Sequence, residues 1–215
     1  MRHRLSFLMM VYLVCLMVLA GGCGSTKPSS FYSLAPMGAA EMPERRSTEG
    51  ISTVVAVGPV NIPDYLERPQ IVTRTGSNEI HIQEFDRWGG SLKDSVARVL
   101  AQNLSAMLPP ERFTAIPWKP VFGMRVPVTY RVGLVIQEFE GTLGGKVILK
   151  ALWAVSREED SSVILVRESS YTEDIGENDY SSLVEAMSKA LGRLSSDIAA
   201  VLKTLPQQKA VSGGG

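Results

Sequence analysis

Seven apolar residues near the C-terminal end, Leu183, Met187, Leu191, Leu194, Ile198, Leu202 and Leu205, recur at spacings of 4-4-3-4-4-3. That is an 11-residue repeat of about 3.67 residues per turn, close to a straight α-helix and unlike the 3.5 of a coiled-coil seam. The spacing predicts a helix from about Ser182 to Leu205 whose apolar stripe lies on a sheet of its own domain. Ser182 and Glu185 supply an expected capping box, and Pro206 a stop. A second helix is predicted over Ser91–Leu108, about 27 Å long at 1.5 Å per residue. Leu92, Val96, Val99, Leu100, Leu104, Met107 and Leu108 form its stripe, Ser91 and Asp94 its cap, and Pro109-Pro110 its end.

The segments around these helices have strand character. Val54, Val55, Val57 and Val60 form a β-branched run that Pro59 and Pro63 are expected to end. Gln70–Thr75 and Glu79–Gln83 flank Gly76-Ser77-Asn78, a plausible hairpin turn. Val126, Val128, Tyr130, Val132, Leu134 and Ile136 alternate strictly; a Gly-rich turn is expected at Glu140–Gly145, with Lys146–Ser156 running back. Arg157–Ser162 is a polar turn into Val163–Tyr171, which completes an antiparallel meander with one buried face. Phe31-Tyr32-Ser33-Leu34 is a short extended segment suited to a sheet edge. The order strands, helix, strands, helix predicts an α+β fold, a largely antiparallel sheet with two amphipathic helices packed on one face.

The N-terminus carries a different message. Basic Met1-Arg2-His3-Arg4 precedes an apolar run from Leu5 to Ala20, then Gly21-Gly22-Cys23. The run is shorter than the ~20 residues of a spanning helix, and small residues ending on a cysteine mark the lipoprotein form of a secretory signal. Residues 1–22 are expected to be cleaved and Cys23 to be lipidated, with a diacylglycerol on its thiol and an acyl chain (palmitate) on its new amine. The usual Leu three positions before the cysteine is here Ala20. Residues 23–50 read as lipidated tether and linker, with 24–30 a flexible tether and 38–50 a polar loop. The domain is expected over 51–206, its core starting at Ile51, followed by a disordered tail at 207–215. Gly24 rather than Asp after the cysteine favours the cell outer membrane, facing the periplasm.

Cys15 leaves with the signal and Cys23 is acylated, so no thiol remains for a disulfide or a cysteine metal site. The 22 basic residues less Arg2 and Arg4 face 22 acidic ones, and no basic block suggests a nucleic-acid partner. There is no cysteine nucleophile, histidine pair, G-x-S-x-G elbow or phosphate loop, so no catalytic or metal residue and no further cofactor is expected. His81 reads as structural, Glu158-Glu159-Asp160 and Glu173-Asp174 as solvated turns, and Trp88, Trp118 and Trp153 as core.

Four blocks carry a resemblance. They are Phe31–Leu34; Val57-Gly58-Pro59-Val60-Asn61-Ile62-Pro63-Asp64-Tyr65-Leu66 leading to Ile71-Val72-Thr73-Arg74; Trp88-Gly89-Gly90-Ser91-Leu92 running into Asn103-Leu104; and Glu138-Phe139-Glu140-Gly141 with Gly145-Lys146-Val147 and Trp153. In this order they resemble the PqiC-like family of ABC- and MCE-type transport auxiliary lipoproteins. The resemblance implies a non-catalytic outer-membrane lipoprotein in an intermembrane phospholipid transport system that maintains membrane integrity. Its implied partners are an MCE-domain protein spanning the periplasm and an inner-membrane transporter component. A docking collar would suit a homo-oligomer, such as a closed ring. A pilot-type assembly lipoprotein and a periplasmic lipid carrier are the alternatives. Asp64, Tyr65 and Leu66, apolar side chains and an acid in an apparent loop, are the candidate partner contact, or else cap the core.

Overall fold

The computed structural model describes residues 27–38, 53–118 and 127–206, together with Arg4, Ser6, Met9, Met10 and Tyr12. Cys23, most of the polar loop at 38–50 and the tail at 207–215 lie outside the described residues.

The β-branched run becomes β2 (Thr53–Asn61), after a short β1 (Ser30–Tyr32). The predicted hairpin is β3 (Gln70–Arg74) and β4 (Ile80–Trp88), and a one-turn 3-10 helix at Asp64–Leu66 links it to β2. Helix α1 (Leu92–Met107), β5 (Phe113–Pro117), the long strands β6 (Tyr130–Gly141), β7 (Lys146–Arg157) and β8 (Val163–Asp174), and helix α2 (Tyr180–Thr204) complete the chain. The strands form two sheets, one of three strands in the order β1-β4-β3 and one of five in the order β5-β2-β6-β7-β8.

In the larger sheet the alternation does what period-two patterning demands. Tyr130, Val132, Leu134 and Ile136 on β6, and Val147, Leu149, Ala151, Trp153 and Val155 on β7, are buried, while Val135, Ile148 and Leu152 face outward. Both helices cover the buried face: α1 packs on β2 and β5, α2 on β6, β7 and β8, and the two touch each other. The stripe Leu183, Met187, Leu191, Leu194, Ile198 and Leu202 is fully sequestered. Such burial contributes about 1.5–3 kcal/mol per large side chain. The close fit depends on Gly141, where a Cβ would stand 2.8 Å from the Lys146 carbonyl oxygen and 3.0 Å from Leu183 Cδ1. The α+β architecture therefore holds, with both helices on one face.

Several local expectations are corrected. The larger sheet is mixed, because β2 runs parallel to both β5 and β6. β5 was not expected; the five-residue Phe113–Pro117 is too short to show a period of its own. Pro59 does not end β2. It lies inside the strand, at a register shift between Val57 and Val60 where the ladder is interrupted and a missing N–H costs nothing. Gly58 there has φ +131°, and Trp118 packs so closely that a Cβ would meet its own Cβ at 2.9 Å. Glu140 and Gly141 belong to β6, not to the following turn, and Val128 precedes the strand. Helix α2 starts two residues early and is capped by Asp179, whose carboxylate accepts from Ser182 N at 2.7 Å; Ser182 is not the cap. Ser91 does cap α1, accepting from Asp94 N at 3.4 Å. Leu34 is buried in the core although it precedes Ile51.

Candidate functional site

Two polar constructions stand out against the apolar core. The first joins the small sheet to the large one. Glu140, on β6, has a side chain only 3% exposed and accepts from every side. The Tyr65 hydroxyl donates to both carboxylate oxygens at 3.1 and 3.0 Å, Arg74 Nε donates at 3.1 Å with its Nη2 on the same oxygen, and Phe139 N donates at 2.9 Å. A buried carboxylate is tolerated only when its charge is paired and its lone pairs are occupied, and this one meets both conditions. Burial, then the Glu140 charge, pushes the Tyr65 phenol up to about 12. The hydrogen bond to Glu140 holds Arg74 more firmly protonated than usual. The cluster takes one residue from the 3-10 turn, one from β3 and one from β6, so it locks three elements together.

The second construction is a seat between α1 and α2 for the chain that leads in from the N-terminus. Asn103 and Ser195, both buried, are bonded to each other at 3.0 Å. Asn103 Oδ1 accepts from Met37 N at 2.8 Å, and Ser188 Oγ accepts from Ala35 N at 3.2 Å. From outside, Arg98 Nη2 donates to the Leu34 carbonyl at 3.1 Å, and the Met37 side chain occupies the space over Gly192. Ahead of this seat, β1 pairs in parallel with β4, Ser30 opposite Asp86 and Tyr32 opposite Trp88. The Tyr32 hydroxyl donates to Asp86 at 2.8 Å, and Gly89 N donates to the Tyr32 carbonyl at 2.8 Å. Residues 30–37 are thus stitched to both layers of the domain.

The sequence model of the ABC-type transport auxiliary lipoprotein component family matches residues 32–199. The chain belongs to that family. The fold agrees: a crystal structure of an uncharacterized protein superposes with a TM-score of 0.65 at 18% identity, covering 82% of this chain and 99% of that one. A protein from Xanthomonas campestris gives a TM-score of 0.62 at 12% identity, covering 81% and 94%. Among curated proteins nothing matches.

The blocks shared with the PqiC-like auxiliary lipoproteins now have physical roles. Tyr32 holds β1 to β4, Tyr65, Arg74 and Glu140 form the buried clamp, and Asn103 forms the seat. None of these contacts was legible in advance, since Tyr65 and Arg74 lie 75 and 66 residues from Glu140. The available signal was a polar residue on a buried face, as Asn103 is on the α1 stripe and Glu140 at the end of β6.

Of the expected partner-contact trio, Asp64 is exposed, Tyr65 is half-buried on Glu140, and Leu66 is in the core. Trp88 and Trp153 are core residues, and Trp153 Nε1 donates to Ser169 Oγ at 3.1 Å. Trp118 is not; it is 42% exposed, with the Arg131 guanidinium 3.8 Å from its ring centroid. His81 is exposed on β4. The carboxylate clusters are engaged at the surface: Glu158 with Arg131, Glu173 with Arg193 and Asp174 with Lys146. Asp160 accepts from the Ser162 hydroxyl and N–H, which hold its carboxyl below the usual range.

Among the described residues no group of three histidine, cysteine or acidic side chains could hold a metal, and no helix is long and apolar enough to cross a membrane. Among the described residues, open grooves include one of about 560 Å³ between β2 and the start of α1 and one of about 330 Å³ beside Trp88 and Pro69.

Proposed function

We propose that this auxiliary lipoprotein is a non-catalytic subunit of an MCE/ABC-type phospholipid transport system, acylated at Cys23, held in the outer membrane and facing the periplasm. There it serves as the docking component for an MCE-domain protein that spans the periplasm and answers to an inner-membrane transporter component. A homo-oligomeric ring of such domains would give that protein a collar.

The observation that carries this reading is the family match from residue 32 to residue 199. The way the chain is built supports it. Residues 30–37 are fastened to β4 and to both helices, so a load on the anchor is passed directly to the folded domain. The interior is filled by Trp153, Phe139, Leu149, Leu191 and their neighbours, which favours a docking role over a carrier with an internal lipid cavity. In the proposed contact, Tyr65 and Leu66 fix the 3-10 turn from within, and Asp64 is the side chain offered to the partner.

The test is an affinity pull-down of the acylated protein from detergent-solubilised envelopes, read by mass spectrometry. Co-purification of an MCE-domain protein is the expected result. Recovery of outer-membrane assembly factors alone would point to the pilot-type reading instead. Asp64→Lys should weaken the co-purification, and a Tyr65→Ala, Leu66→Ala double variant that still folds and binds would remove the turn from the contact.

A further inference from the structure

Two exposed isoleucines sit together on the small sheet, with no covering element among the described residues. Ile80 is 37% and Ile82 40% exposed, both near the start of β4. They follow a tip, Thr75 to Glu79, whose residues are all exposed and whose one charged side chain is Glu79. The neighbouring Arg74 is occupied by Glu140 and by the Ser77 carbonyl at 3.0 Å, which also stiffens the turn.

The direction of β1 gives this tip a meaning. Because β1 runs parallel to β4 with Ser30 opposite Asp86, the chain ahead of Ser30 leaves the domain toward the end of β4 where Ile80 lies. From the level of Asp86 to that of Ile80 is six strand residues, about 20 Å. From Ser30 back to Cys23 is seven residues, which reach at most about 25 Å. A tether that continues along the line of β1 and falls short of full extension brings the tip down to the lipid that holds the acyl chains.

We infer that the β3–β4 hairpin tip, with Ile80 and Ile82, rests in the interfacial layer of the membrane that carries the anchor. The inference depends on acylation at Cys23. The occupant is the lipid surface itself, a headgroup layer in which the single charge of the turn, Glu79, stays among polar groups while two apolar side chains settle below it. Another exposed apolar run, Val163, Ile164 and Val166 on β8, follows the acidic turn Glu158-Glu159-Asp160. An anionic membrane surface disfavours that end, and the tether does not point there. Membrane contact through the hairpin fixes the tilt of the domain, so the seat between the helices and the Asp64 turn are held at a constant height above the lipid.

With Cys15 removed and Cys23 acylated, the chain offers a single new thiol for labelling wherever one is introduced. Nitroxide-labelled Ile82→Cys and Val166→Cys variants of the full-length protein would be purified with their anchor and reconstituted into phosphatidylethanolamine–phosphatidylglycerol vesicles. Mass spectrometry of the N-terminal peptide would accompany each preparation. The expected result is loss of accessibility to a water-soluble nickel chelate at position 82, with position 166, 56% exposed in the native chain, remaining open. Ile80→Cys serves as the second probe. Equal nickel accessibility at 80, 82 and 166 on acylated protein overturns the membrane contact and leaves the anchor standing. An unmodified Cys23 overturns both.

Discussion

In the five-stranded sheet, Trp153, Leu149, Ile136 and their neighbours meet the stripes of two helices, and few polar groups interrupt the contact. The three-stranded sheet has no helix of its own length to lie on. It is joined to the rest through Trp88 and Ile71 in the core, the Tyr65–Arg74–Glu140 clamp, and Tyr180, which leans on the Tyr32 ring at 6.3 Å between centroids. Apolar area gives the larger sheet its stability without direction. Hydrogen bonds give the smaller sheet an orientation with less area behind it. The part that pairs with β1, at the N-terminal end of the domain, is therefore the part positioned by geometry, and the part that resists unfolding lies behind it.

The largest effect should come from the larger sheet. Trp153→Ala is expected to cost about 3–5 kcal/mol, as truncation of a buried aromatic does, and to abolish cooperative unfolding in urea at concentrations the native chain survives. If it costs no more than Ile82→Ala, the division between the sheets is wrong.

Arg74→Met comes next, at roughly 2–3 kcal/mol. Glu140 would stay buried without its cation, while the 32% exposure of Arg74 softens the loss. Its mark is regional: amide exchange should accelerate in β3 and β4 and stay unchanged in β7 and α2. Uniform acceleration would mean that the clamp belongs to the main core.

At the helix ends, Asp179→Ala should cost about 1 kcal/mol and Ser182→Ala much less, measured as shifts in urea midpoint. The reverse order would restore Ser182 as the cap.

The mildest contribution appears only in alkali. Tyr65 and Tyr171 both carry phenols raised from 10.0 to about 12, each mainly by burial. Between these values the folded chain keeps protons that the unfolded chain has released. Their share of stability is complete below pH 10 and falls as pH rises toward 12. Tyr65→Phe should flatten part of that fall in denaturation curves taken between the two values.

These differences also explain what could be seen in the sequence. Periodic burial announces itself, so α1, α2 and the β6–β7–β8 meander were legible, and the Gly76-Ser77-Asn78 turn gave away the β3–β4 hairpin. Parallel pairing of β2 with β5 and β6 joins segments far apart in the chain and leaves no local pattern. Pro59 misled because its cost depends on a ladder position that only the register reveals. Ser182 misled because serine caps well and Glu185 follows it, and only the chain's path shows that Asp179 takes that place. The clamp was missed for the same reason as the pairing: Glu140 reads as a turn residue until Tyr65 and Arg74 stand beside it.

The seat between α1 and α2 also sets an order of events. Ala35 is bonded to Ser188, 153 residues later in the chain, and its place does not exist until α2 has formed. Contacts of such separation close late. In a polypeptide made from its N-terminus, Leu34 and Ala35 are therefore synthesised early and seated last. Until α2 forms, Leu34 has no core to enter; once α2 closes, it is withdrawn from solvent.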